Sequence, residues 1–164
     1  MRGIRIRNRS GARKMTAYAD LMAFQRETEA LAQIAGRLGW DQETMMPDGA
    51  APQRAEEHAA MANVLHARRV DPRVGDWLAK ADGVDDEARA NLRHIRRSYE
   101  RAAKVPAKLA AEIARTTSLA HRIWASARAH EDVASYLPVL ANVVALRQEE
   151  ADALAQGGVR YDAL

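Results

Sequence analysis

The sequence contains no cysteine. That excludes disulfides and thiolate metal sites, and agrees with a reducing compartment such as the cytoplasm. Aromatic residues make up 5%, and the 164 residues include only nine glycines and five prolines. No segment alternates polar and apolar residues as a half-buried strand does. No apolar run is long enough to span a bilayer, and the N-terminus lacks the apolar region of a signal peptide.

Several kinds of catalytic apparatus are missing as well. The histidines are His58, His66, His94, His121 and His130, and no two stand three or four apart as two metal ligands on one helix face must. His58 and His66 share a face but are two turns apart, and His130-Glu131 begins an H-E-x-x-H pattern that Ala134 breaks. There is no Gly-x-Ser-x-Gly elbow and no glycine-rich phosphate loop. The acidic pairs Glu56-Glu57 and Glu149-Glu150 are adjacent, so each pair diverges by about 100° on a helix and reads as solvated surface.

What is present is alanine, leucine, arginine and glutamate, with 48% hydrophobic residues overall. That is the composition of an all-α protein with enough apolar mass for a core. The length suits one domain or a piece of a larger one. The net charge of +3 is unevenly spread. Residues 1–14 carry six basic residues and no acid, which leaves 19 basic against 22 acidic residues in the body. A body of about −3 is not that of a polyanion binder. The basic segment is expected to be a disordered extension. It could contact nucleic acid, serve as a targeting segment, or precede a true start at Met15; MTAYADL opens well as a helix, which favours the last.

The apolar spacing predicts about six helices. Thr16 is a plausible N-cap for a first helix whose stripe Ala17, Leu21, Phe24, Thr28, Leu31, Ala35, Leu38 advances in steps of four and three. Gly36 and Gly39 weaken its end, and Pro47-Asp48-Gly49 breaks it. A second helix is expected from Pro52 to Arg69, a short third after Asp71-Pro72 until Gly83, and a fourth from Asp85. A fifth follows Pro106, with Ile113, Ala120, Ile123 and Ala127 facing inward. A sixth is expected to begin between Ser135 and Pro138 and to close at Gly157-Gly158. Short connections imply antiparallel hairpins in an elongated bundle. Trp77 and Trp124 read as core anchors. The stripe Arg93, Arg97, Arg101, flanked by Arg96 and Lys104, reads as a solvated or inter-helix face, because only Tyr99 is there to stack a base.

One stretch stands apart, LGWDQETMMPDGA at residues 38–50. Its Trp40-Asp41, Thr44, Met46-Pro47 and Gly49, followed by Arg54, resemble the N-terminal signature of the carboxypeptidase Taq family of metal-dependent carboxypeptidases. The resemblance continues through Leu92-Arg93, Arg97, Val105-Pro106, Trp124, Ala127-Arg128, Pro138, Leu140 and Val144 to Tyr161-Asp162-Ala163-Leu164. Single matches are weak; their ordered succession is specific.

The resemblance implies a longer all-helical peptidase, homodimeric and cytoplasmic, that removes C-terminal residues from peptides with zinc or cobalt held by an H-E-x-x-H site. That motif does not occur here. Residues 15–164 are therefore expected to be the N-terminal helical domain, truncated before the metal site, with no catalytic residue, no cofactor and no activity of its own. As a wall of the substrate groove it would offer Trp40, Asp41, Thr44 and Arg54. The competing reading is structural: Asp41 or Thr44 caps broken backbone and pairs with Arg54, while Trp40 plugs the gap between helices. The need of a helix end to satisfy its orphan groups favours that reading. The alternative function is a stand-alone helical interaction module whose basic tail touches nucleic acid or an acidic partner; neither nucleic acid nor a membrane is the expected partner.

Overall fold

The computed structural model describes the backbone of residues 9–163 and the side chains of residues 16–163. Seven helices are present among them: α1 Arg9–Thr44, α2 Ala51–Arg69, α3 Pro72–Lys80, α4 Asp86–Lys104, α5 Ala107–Ala129, α6 Val133–Ala155 and the single turn α7 Arg160–Ala163. A 3-10 turn, Asp48–Ala50, precedes α2. The described residues contain no strand. None of these helices is long and apolar enough to cross a membrane.

At 36 residues, α1 is about 54 Å long, which alone makes the molecule elongated. It begins upstream of Thr16, so Thr16 lies within the helix instead of capping it. Residues 9–14, expected to lack regular structure, form its first turns. The rest of the expected extension, residues 1–8, lies outside the described residues. At the other end α1 runs through Gly36 and Gly39 to Thr44. Two isolated glycines cost a helix roughly 2 kcal/mol in total relative to alanine, which weakens this end without breaking it. Only Pro47, which has no N–H to donate, stops it.

The later caps follow the sequence closely. Asp71 accepts from the Arg73 N–H at 2.9 Å and Asp85 from the Ala88 N–H at 2.8 Å, which fixes the starts of α3 and α4. The start of α6 corrects the expectation. Asp132 caps it through the Ser135 N–H at 3.1 Å, so the helix opens at Val133 and Pro138 sits inside it. Its end comes where expected, with Gln156 and Gly157 both at positive φ.

The core has two parts. Leu21, Phe24, Val74 and Leu78 join α1 to α3, backed by Trp77, Leu92, Ile95 and Tyr99. The second is the seam of α2 and α5, the most extensive helix pairing in the chain. Buried Ala51, Ala55 and Ala59 recur every fourth residue on α2, and α5 buries Ala111, Thr116, Ser118 and Ala120. Such small side chains let helix axes approach closely. Hairpin pairing holds for α1 with α2, α3 with α4 and α5 with α6, whereas α2 takes the distant α5 as its main partner. Trp77 packs on the core as expected, but Ile123 and Trp124 are exposed.

Candidate functional site

The corner between α1 and α2 holds the four residues singled out above. Three of them are bound into the fold. Asp41 sits in the last turn but one of α1, and its carbonyl accepts from the N–H groups of both Met45 and Met46 at 2.9 Å. Its carboxylate accepts from Arg54 Nη2 at 2.5 Å. The Thr44 hydroxyl donates to the Trp40 carbonyl at 2.7 Å. Arg54, in the first turns of α2 and mostly buried, also donates to the Leu38 carbonyl and, through Nε, to Glu57 at 2.8 Å. Its hydrogen bond to Asp41 is the main cause holding the guanidinium pKa above its ordinary value. One cation therefore binds a backbone carbonyl and two carboxylates, tying the last turns of α1 to α2.

Trp40 behaves differently. Its side chain was expected to plug the gap between helices, but the residue is 63% exposed. It projects from a corner whose polar groups are otherwise engaged. Of the four candidates, Trp40 is the large apolar side chain left exposed.

The corner has a second set of ties that spacing did not reveal. Ser118 Oγ donates to Gln42 Oε1 at 2.6 Å, His121 Nε2 meets Glu43 Oε2 at 2.8 Å, and Arg122 pairs with Asp48. The Arg122 hydrogen bond holds the Asp48 carboxyl below its usual pKa. These contacts fasten residues 42–48 to α5 and line a hollow of about 230 Å³ with Thr44 and Met46. The partners are more than 70 positions apart in sequence, and no local pattern joins them. The His121 ring also lies 5.8 Å from that of Trp124, over which Arg128 sits at 5.4 Å.

The glutamate pair on α2 diverges, as the spacing predicted, to two different arginines. Glu56 receives Nε and Nη2 of Arg115 at 2.7 and 2.9 Å across the α2–α5 seam, and Glu57 binds Arg54. Both keep solvent exposure, as expected of a surface pair, and each is also ion-paired. The arginine stripe of α4 is in part an inter-helix face: Arg96 donates to the Leu78 carbonyl and Arg101 to that of Ala163. Among the described residues, no group of three or more His, Asp or Glu side chains is placed to hold a metal ion.

Known proteins share this arrangement. A family model described as carboxypeptidase Taq (M32) metallopeptidase matches residues 20–164. Thermostable carboxypeptidase 1 of Thermus thermophilus is 42% identical over 163 residues, covering 90% of this chain and 32% of that protein. The enzyme of the same name from Pyrococcus furiosus is 28% identical over 148 residues, covering 88% of this chain and 30% of its own length. A solved structure of Pyrococcus furiosus carboxypeptidase superposes with a TM-score of 0.68 at 27% identity, over 90% of this chain and 30% of that one. Trypanosoma cruzi metallocarboxypeptidase 1 gives 0.69 at 27%, over 92% and 31%. The chain thus spans about a third of the length of the relatives it matches. Its matched residues reach from the first turns of α1 to the last described helix, and on that evidence the chain belongs to the carboxypeptidase Taq (M32) metallopeptidase family.

Proposed function

We propose that this chain is the N-terminal helical part of a metal-dependent carboxypeptidase that releases C-terminal residues from peptides. The observation that carries the reading is the family match over residues 20–164, against relatives about three times longer. In the complete enzyme, a homodimer in the cytoplasm using zinc or cobalt, these helices form one side of the substrate groove. Trp40 is the residue proposed to touch peptide, because Asp41, Thr44 and Arg54 are engaged within the corner.

The side chains described here do not fit a catalytic metal. Hydrolysis by a single zinc needs about three protein ligands and a group to activate water. One imidazole and one carboxylate do meet, His121 Nε2 and Glu43 Oε2 at 2.8 Å, and that pair falls short of such a set. We therefore assign this chain no step of the hydrolysis. The test is metal loading. The purified chain, dialysed against zinc and then cobalt, should retain far less than one equivalent of either ion. Stoichiometric retention that survives mutation of His121 would show a ligand set and contradict the assignment.

A further inference from the structure

The outer face of α6 is apolar and bare. Val133, Leu137, Leu140 and Val144 advance in steps of four, three and four, which places them on one stripe. They are between 39% and 68% exposed. The adjoining face of the helix, with Tyr136, Val143 and Leu146, is partly buried, and α6 packs on α5. A helix apolar on two sides is one that is covered on both. The stripe itself continues to Ala151, which is buried at the end where α7 folds back and Arg160 binds Asp152 at 2.7 Å. Only the N-terminal half lacks cover. Two hollows, of about 310 and 410 Å³, flank Trp124 and Tyr136 beside it.

Two other surfaces are poorer docking faces. The outer side of α4 carries Arg93 and Arg97, and the corner shows only Trp40 and Met45. Meanwhile the solved relatives keep this arrangement within chains of which it covers about 30%. The remaining two thirds of such a fold must lie against some outer face of these helices.

We infer that the α6 stripe, with Trp124, is the docking face for that remaining polypeptide. The chemistry it fits is an amphipathic helix with apolar residues at three- and four-residue spacing, seating side chains in the hollows and polar groups against Arg128 and Glu131. The inference rests on the family reading and adds the face on which the rest of the fold sits.

The absence of native cysteine makes the test direct. Single-cysteine variants Leu137→Cys, on the stripe, and Val84→Cys, an exposed control, are co-expressed with the C-terminal two thirds of the Thermus thermophilus relative in cysteine-free form. The expected result is a one-to-one complex in which maleimide labelling at position 137 slows at least roughly tenfold, as for a site reached only by opening. Labelling at position 84 stays unchanged. The double variant Leu137→Gln, Val144→Gln should abolish the complex without lowering helicity. A complex labelled at position 137 at the free rate would overturn the inference and leave the family reading intact. Concentration-dependent protection of position 137 in the chain alone, with the mass of a dimer, would assign the face to a second copy and overturn it too. If no complex forms, the same labelling is done on this chain fused to the relative's two thirds. A fusion that neither folds nor cleaves peptide would count against both readings.

Discussion

The guanidinium of Arg54 in α2 meets the carboxylate of Asp41 in α1 at 2.5 Å, and the same guanidinium binds the Leu38 carbonyl. A residue at the start of one helix thereby ties down the end of the previous one.

Arg54→Ala removes bonds to a carbonyl and two carboxylates at a mostly buried position. It should destabilise the chain by about 1–3 kcal/mol. Arg54→Lys should recover little, because an ammonium does not span that geometry. Urea melts of both variants check this, and wild-type stability in Arg54→Ala would contradict it.

Acid should weaken the fold in two stages. His58 is half-buried in a cleft lined by Met61, Leu65 and Ile113, and burial first, then the nearby Arg54, lowers its pKa from 6.5. Between that lowered value and 6.5 the unfolded chain binds more protons, so stability falls as pH drops below 6.5. Asp48, Asp71 and Glu56 are held below their ordinary values by Arg122, Arg73 and Arg115, and their contribution disappears as pH falls through the carboxylate range. Melting temperature followed from pH 8 to 3 should show both declines. His58→Gln should remove the upper one alone.

Gly75 should resist improvement. Alanine in the middle of a helix ordinarily gains about 1 kcal/mol over glycine. A methyl added at Gly75, however, would lie 2.9 Å from the Tyr99 hydroxyl of α4. Gly75→Ala should therefore be neutral or destabilising, and Tyr99→Phe in that background should restore part of the gain. A clear rise in melting temperature for the single variant would show that α4 yields easily there.

The apolar stripe on α6 has a consequence for the chain by itself. With Val133, Leu137 and Val144 in water, the purified protein should elute larger than a monomer or bind a hydrophobic dye. Leu137→Gln should reduce either signal. A monodisperse wild-type chain that binds no dye would count against that face being sticky.

The sequence carried most of the helices because each has a local cause: the stripe from Ala17 to Thr28, the Asp71 and Asp85 caps, and Pro47 as a stop. It misplaced the start of α6, because Pro138 resembles a first-turn residue and Asp132 caps without any such mark. At the corner, the pairing of Asp41 with Arg54 could be anticipated, since both lie within one hairpin. The ties from Ser118, His121 and Arg122 could not, because they depend on how α5 lies against α1. Trp124 misled for the same reason. Its position beside the inner face of α5 says nothing of how far another helix covers it, and here it stays 39% exposed.

The proposal to be tested is that these helices are one part of a metallocarboxypeptidase and supply none of its catalytic groups. The most direct test incubates purified chain with unblocked peptides and with zinc or cobalt, and follows C-terminal shortening by mass spectrometry. No release of C-terminal residues above the metal-only control is expected. Metal-dependent release that scales with chain concentration, and that chelator abolishes, would contradict the account.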